Sequence, residues 1–92
     1  MDKFQVRIPP AAARDLDQLD DKLVQKILEE MDVLKENPFP RGKLIRKIKG
    51  KSANFYRLRV GSHRVFFSLE GQTVVVLKVI DKKNAARFIK NL

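Results

Sequence analysis

The chain has 92 residues, of which 43% are hydrophobic, with no cysteine and a single histidine. That length and apolar content predict one folded domain over residues 1–92, near the lower limit for a self-sufficient core. The absence of cysteine excludes disulfides, thiolate metal sites and a cysteine nucleophile, and one histidine argues against zinc sites and histidine-based triads. No signal peptide is visible and no apolar run approaches the roughly 20 residues that span a bilayer. We therefore expect a cytoplasmic protein with no membrane partner, metal or cofactor.

The formal net charge of +9 is distributed unevenly along the chain. Residues 1–40 carry six lysines and arginines against nine acidic residues, whereas residues 41–92 carry 14 against two. A clustered basic surface gains affinity for a polyanion because the phosphates release their condensed counterions when it binds. A generic soluble surface normally mixes both signs, so this asymmetry favours a polyanionic partner.

The first forty residues predict a strand followed by two helices. Residues 4–8 alternate apolar and polar side chains, as strands do, and Pro9-Pro10 closes the strand. A short helix is predicted over residues 11–19, and Asp20 is placed to cap a second helix that ends at Asn37-Pro38. The glutamates of this half lie off the apolar stripe of the second helix, so its acidic charge is a solvated helix face. The stripe consists of Leu23, Val24, Ile27, Leu28, Met31 and Leu34.

The second half changes to an alternating period and predicts four strands, over residues 43–49, 55–60, 64–70 and 73–80. The last strand is apolar on both faces, so its register stays open to a one-residue slip. Asn84 is placed to cap a terminal helix over residues 85–92. The order β-α-α-β-β-β-β-α predicts an α+β domain: a mainly four-stranded antiparallel sheet plus the N-terminal strand, with the helical hairpin packed on one face.

The hairpin around Gly61-Ser62 is the most informative part of the sequence. A two-residue turn there pairs Val60 with His63 and sets Arg59 directly opposite Arg64. Like charges directly opposite each other destabilise a sheet, so this pairing favours an anion between the guanidinium groups over arginines that merely solvate the sheet. His63 lies on the face opposite the arginines, which favours a structural role.

Other basic and aromatic residues of the second half would enlarge this surface. Arg57 shares the face of Arg59, and phenylalanine rings beside these arginines could stack on an unpaired base. The RNA-binding residues predicted from this arrangement are Lys47, Lys49, Lys51, Phe55, Phe66 and Lys82.

Two segments and the valine-rich strand after them carry a resemblance to a known family. They are Ile45-Arg-Lys-Ile-Lys-Gly50 and Phe55-Tyr-Arg-Leu-Arg-Val-Gly-Ser-His-Arg-Val-Phe67. This pattern resembles the RelE/ParE toxin superfamily, whose hallmark is a hairpin of this kind. The predicted element order agrees along the whole chain, whereas the motif covers only about residues 44–83. The superfamily includes ribosome-dependent mRNA endonucleases, called RelE-like, and gyrase poisons, called ParE-like, on one scaffold.

The resemblance implies catalytic roles for basic residues of the hairpin and of the segment after the last strand. By motif these are Arg57, Arg59, Arg64 and Lys83, with Lys82 as the alternative to Lys83. The implied reaction is attack of a ribose 2′-hydroxyl on the adjacent phosphate without a metal. Phe88 stands near the place where many RelE-like nucleases have tyrosine or histidine, so it can stack on a base but cannot transfer a proton.

The dense basic surface favours the RelE-like activity, cleavage of mRNA in the ribosomal A site. A ParE-like protein that inhibits gyrase by contact is the alternative, as is an RNA-binding relative without activity. Every toxin hypothesis implies a cognate antitoxin, expected to be an acidic protein that covers the basic face or the helical hairpin.

Overall fold

A computed structural model describes residues 3–48 and 54–91 of the chain. The expected order of elements is confirmed, except that a turn at Asp32 divides the second helix into two. The Asp32 backbone N–H donates to the carbonyls of both Glu29 and Glu30, which tightens the last turn of the first part. The elements are β1 (Gln5–Arg7), α1 (Pro10–Asp17), α2 (Asp21–Met31), α3 (Val33–Glu36), β2 (Ile45–Lys47), β3 (Phe55–Val60), β4 (His63–Glu70), β5 (Thr73–Asp81) and α4 (Lys82–Lys90).

The strands form one sheet in the order β1-β5-β4-β3-β2, mostly antiparallel, with one parallel pair between β1 and β5. The parallel pair covers only three residues of β5, ending at Val75. Beyond it α1 completes the edge: Asp15 Oδ2 accepts the Val79 N–H at 3.0 Å, and Oδ1 lies 3.1 Å from Lys78 Nζ. The Asp15 carboxylate thus takes the place of further ladder hydrogen bonds, because a buried backbone donor needs a partner.

One side of the sheet, here called the core face, packs against helices α1 to α3. The strand residues of its buried cluster are at most 8% exposed, and α1, α2 and α3 contribute four buried side chains to the same cluster. Tyr56 and Phe67 stack on this face with ring centroids 5.5 Å apart. The helical hairpin therefore lies on one face as expected. The buried cluster comprises Ala12, Ile27, Met31, Leu34, Ile45, Tyr56, Leu58, Val60, Val65, Phe67, Val74, Val76 and Val79.

The register of β5 includes a bulge that a strict alternation does not predict. Phe66 pairs with Lys78 and Phe67 with Val76, which leaves Leu77 without a partner across the ladder. The extra residue inverts the alternation, so that Val76 and Val79 both belong to the core-face cluster. Both ends of β5 thereby bury their valines on the same side.

The other side of the sheet is partly covered by α4, whose apolar residues recur at helical spacing. Ala85 packs on Phe66 and Ile48, and Phe88 lies against Phe66 with ring centroids 4.8 Å apart. The helix begins at Lys82 and its N-cap is Asp81, whose Oδ1 accepts the Asn84 N–H at 3.0 Å. The prediction that Asn84 is the cap is therefore wrong. None of the helices in the described ranges is long and apolar enough to cross a membrane.

Candidate nucleic-acid interface

The hairpin of β3 and β4 has the predicted register. Val60 pairs with His63 across the two-residue turn, and Arg59 lies directly opposite Arg64. Gly61 has a φ of +56°, a left-handed conformation that side chains disfavour. The tight turn thus fixes which residues face each other, and it sets the two arginines side by side.

Four arginines of β2, β3 and β4 share the side of the sheet opposite the core face, and we call the surface that these four form the arginine face. Arg57 pairs with Phe66 on one side and with Arg46 on the other, so Arg46 and Arg57 form a second opposed pair. The sequence did not identify Arg46, because a two-residue turn does not join β2 to β3 and so cannot fix their register. The sequence does contain one indication of its place. Arg46 follows Ile45 in the strand, and because Ile45 is fully buried in the core-face cluster, Arg46 faces the other side.

No carboxylate balances the arginine face among the described residues. The ion pairs found in the described ranges join Lys35 to Asp32 and Lys78 to Asp15, and neither includes an arginine of this face. Burial lowers the pKa of Arg64, and the charges of Arg57 and Arg59 lower it further. Both causes act against the charged form, so the folded chain holds this guanidinium at a cost to its own stability.

The Arg64 side chain is held over the hairpin turn. Its Nη1 donates to the backbone carbonyls of Gly61 at 2.9 Å and His63 at 2.8 Å. A guanidinium fixed in this way is pre-organised, because it loses little freedom when a further group binds.

The N-terminus of α4 brings two lysines to the same end of the sheet. The Lys82 N–H donates to the Ser62 carbonyl at 2.8 Å, which ties the start of the helix to the hairpin turn. A shallow cleft of about 340 Å³ lies there, lined by Ser62, His63, Asp81, Lys82 and Lys83. Cations at a helix N-terminus are unfavourable because they meet the positive end of the helix dipole. The Asp81 carboxylate, which caps the helix, offsets part of that repulsion, and a bound anion near Lys82 and Lys83 would offset more of it.

The structure does not bring every predicted RNA-binding residue to this surface. Phe66 is fully buried beneath α4, so the prediction that its ring stacks on a base does not hold for this conformation. Phe55 and Phe88 are half-buried in the cluster around Phe66. Lys47 pairs with Tyr56 and so starts from the core side of the sheet, at its edge. Lys49 and Lys51 lie outside the described residues.

The two side chains most often used for proton transfer on RNA do not lie on the arginine face. Tyr56 is 8% exposed and belongs to the core-face cluster. His63 pairs with Val60, which places it on the core side, and its Nδ1 lies 3.4 Å from Ser62 Oγ. The arginine face therefore presents fixed positive charge and guanidinium donors, a composition suited to binding phosphate.

Comparisons with known proteins agree with this fold. A family model described as "ParE toxin of type II toxin-antitoxin system, parDE" matches residues 6–86. The chain belongs to the RelE/ParE toxin family. A protein of Methanocaldococcus jannaschii that carries the provisional name toxin RelE1 is 33% identical over 86 residues, 91% of this chain and 94% of its own.

Solved structures of the family superpose on the chain. The archaeal RelE-RelB complex from Pyrococcus horikoshii OT3 matches with a TM-score of 0.73 and 27% identity, over 87% of this chain and 96% of that one. The RelBE2 toxin-antitoxin complex of Mycobacterium tuberculosis matches with a TM-score of 0.75 and 23% identity, over 87% and 99%. The second likeness concerns the fold alone. This RelE/ParE chain is thus a toxin of the type II toxin-antitoxin class.

Proposed function

We propose that this toxin is a ribosome-dependent mRNA endoribonuclease that inhibits translation. The observation that carries the proposal is the arginine face, two opposed arginine pairs with no carboxylate partner among the described residues. Such an arrangement does not stabilise a sheet, and it is suited to a ligand that brings negative charge. The RelE names of the relatives with 33% and 27% identity support RNA cleavage over other activities of the family.

The proposed reaction needs no metal. The ribose 2′-oxygen attacks the adjacent phosphorus, and the bond to the 5′-oxygen of the next nucleotide breaks. The products are a 2′,3′-cyclic phosphate and a 5′-hydroxyl, so one proton passes from the 2′-hydroxyl to the leaving oxygen. Arg59 and Arg64 would hold the phosphate and stabilise the extra negative charge of the transition state, since fixed donors at that place need no reorganisation.

Arg57 and Lys83 would position the RNA for this reaction. Arg57 lies on the same strand and face as Arg59, two residues away, where it would align the RNA chain for in-line attack. Lys83, with Lys82 as its neighbour in the first turn of α4, would contact phosphate beside the hairpin turn. The protein thus supplies position and charge, and the ribosome would complete the geometry of the RNA.

We also propose a cognate acidic antitoxin as the protein partner. The similar structures from Pyrococcus horikoshii and Mycobacterium tuberculosis are toxin-antitoxin complexes. An acidic segment of the antitoxin on the arginine face would occupy the positive charges that bind RNA. The antitoxin would then inhibit the toxin by competing with RNA for this surface.

The test is to map 5′ ends of a defined mRNA in a translation extract, with and without the toxin and with and without ribosomes. The proposal predicts new ends that require ribosomes and follow the reading frame. Intact mRNA in the presence of folded protein contradicts it.

A second candidate is gyrase inhibition, which the match to the ParE family model favours. A supercoiling assay with purified gyrase distinguishes the two. Inhibition of supercoiling together with intact mRNA would assign this chain to the gyrase poisons.

A further inference from the structure

We propose that Arg46, Arg57, Ile48 and Ile89 form a second RNA subsite, which holds one nucleotide next to the scissile phosphate. This inference rests on the proposed function, because it assumes that RNA lies on the arginine face. Arg46 would take the phosphate of that nucleotide together with Arg57, and the base would lie against the two isoleucines.

The subsite is an open pocket of about 280 Å³ between β2, β3 and α4. It is lined by Arg46, Lys47, Ile48, Arg57 and Ile89. Ile48 is 6% exposed and belongs to the small cluster under α4, against which the half-buried Ile89 also packs. The apolar wall is therefore part of the packed structure, and Arg46 and Arg57 line the same pocket.

Two arginines beside two isoleucines favour a nucleotide as the ligand, because its phosphate can bind the arginines and its base can pack on the isoleucines. A guanidinium binds phosphate oxygens bidentately and also stacks on a base, and an apolar surface takes the face of the ring. An inorganic anion alone would leave the isoleucines unused. Arg46 is exposed on a three-residue edge strand and opposes another arginine, so stability does not explain it.

The pairing across the strands suggests two places for phosphate on the arginine face. Arg59 lies opposite Arg64 and Arg46 lies opposite Arg57, and Arg57 and Arg59 are separated by two residues along β3, which corresponds to about 7 Å in a strand. Arg57 also acts on Arg64, since its charge lowers the pKa of Arg64. We assign Arg59 and Arg64 to the scissile phosphate and Arg46 and Arg57 to a neighbouring one.

The experiment measures binding of single-stranded RNA hexamers by fluorescence anisotropy, for the full chain and two matched variants. Arg46→Ala should weaken binding by about tenfold, since one phosphate loses its guanidinium partner and one base loses part of its support. Arg14→Ala removes an exposed arginine from α1, which packs on the core face, and it should leave affinity within about twofold. Equal affinities of the two variants overturn the subsite.

A second measurement tests the base pocket itself. Hexamers that carry one abasic nucleotide, placed at each position in turn, should lose affinity for the unmodified protein at one position. Ile89→Ala should remove that position dependence, because the affinity for hexamers that are abasic at the other positions should fall to that of the hexamer that is abasic at the pocket position. The affinity for that last hexamer should not change. A loss that is the same at every position overturns the pocket, and so does an absence of RNA binding by the unmodified protein.

The outcomes separate this inference from the proposed nuclease. Frame-dependent cleavage that Arg46→Ala leaves at full rate refutes the subsite and retains the nuclease. Binding that depends on Arg46, without cleavage on ribosomes, retains the subsite and refutes the nuclease. Thermal unfolding of each variant checks the fold, and Arg46→Lys, which keeps the charge but not the bidentate fork, should recover only part of the affinity.

Discussion

The two faces of the sheet obey different physical rules, although they belong to the same strands. The core face carries a closed apolar cluster whose strand residues are at most 8% exposed. The other face carries a small cluster under α4 and, on β2 to β4, four arginines without a carboxylate partner among the described residues. Burial explains the first face and the cluster, whereas the arginines carry a cost to the folded state. The difference indicates which residues serve stability and which serve a ligand.

The largest expected effect tests whether the cluster under α4 is part of the core. Phe66→Ala should lower the free energy of unfolding by about 3–5 kcal/mol, because it leaves a cavity between the sheet and α4. Phe39, which is 50% exposed, is the control, and Phe39→Ala should cost only about 1 kcal/mol. Urea unfolding measures both. Equal losses would mean that α4 does not seal this part of the sheet.

The next prediction uses the salt dependence of RNA binding to test whether the arginine face binds phosphate. Replacing Arg57 or Arg64 by alanine should weaken binding to single-stranded RNA of every sequence. It should also reduce the slope of log affinity against log salt by about 0.7 for each phosphate that the protein no longer neutralises. Lys22→Ala, at an exposed position on α2, should leave the slope unchanged. A slope that does not respond to the arginines would place the RNA elsewhere on the molecule.

The smallest expected effect concerns the N-caps of two helices, of which only α4 carries residues of the proposed site. Asp20 Oδ1 accepts the Leu23 N–H at 2.9 Å, and Asp81 Oδ1 accepts the Asn84 N–H at 3.0 Å. Either aspartate changed to alanine should cost about 1 kcal/mol of stability. Only Asp81→Ala should also slow RNA cleavage, because the helix that it caps carries Lys82 and Lys83. Equal cleavage by the two variants would remove these lysines from the proposed site.

The sequence predicted most of the architecture because periodicity and tight turns are local signals. The opposition of Arg59 and Arg64 follows from a two-residue turn, and the structure confirms it. Asp20 caps α2 as predicted. These features depend on neighbours within a few residues, which sequence patterns record directly.

The features that the sequence missed depend on contacts between distant segments. The parallel pairing of β1 with β5 and the bulge at Leu77 come from how separate strands meet. Phe66 looked like an exposed neighbour of the arginines because its strand face carries them, and the burial comes from α4, some twenty residues later. Arg46 was missed because the register between β2 and β3 is set by pairing across a longer connection.

The most direct test of the functional role of the arginine face measures stability and ribosome-dependent cleavage on the same preparation of Arg59→Ala. Arg59 is exposed, opposes Arg64 and contributes to lowering the pKa of Arg64. We predict an unfolding midpoint that is unchanged or higher, since a repulsion is removed. We also predict cleavage that is slower by about 100-fold, the order expected when one fixed donor to a transition-state charge is removed. A lower midpoint with cleavage reduced only in proportion to the unfolded fraction would contradict that role.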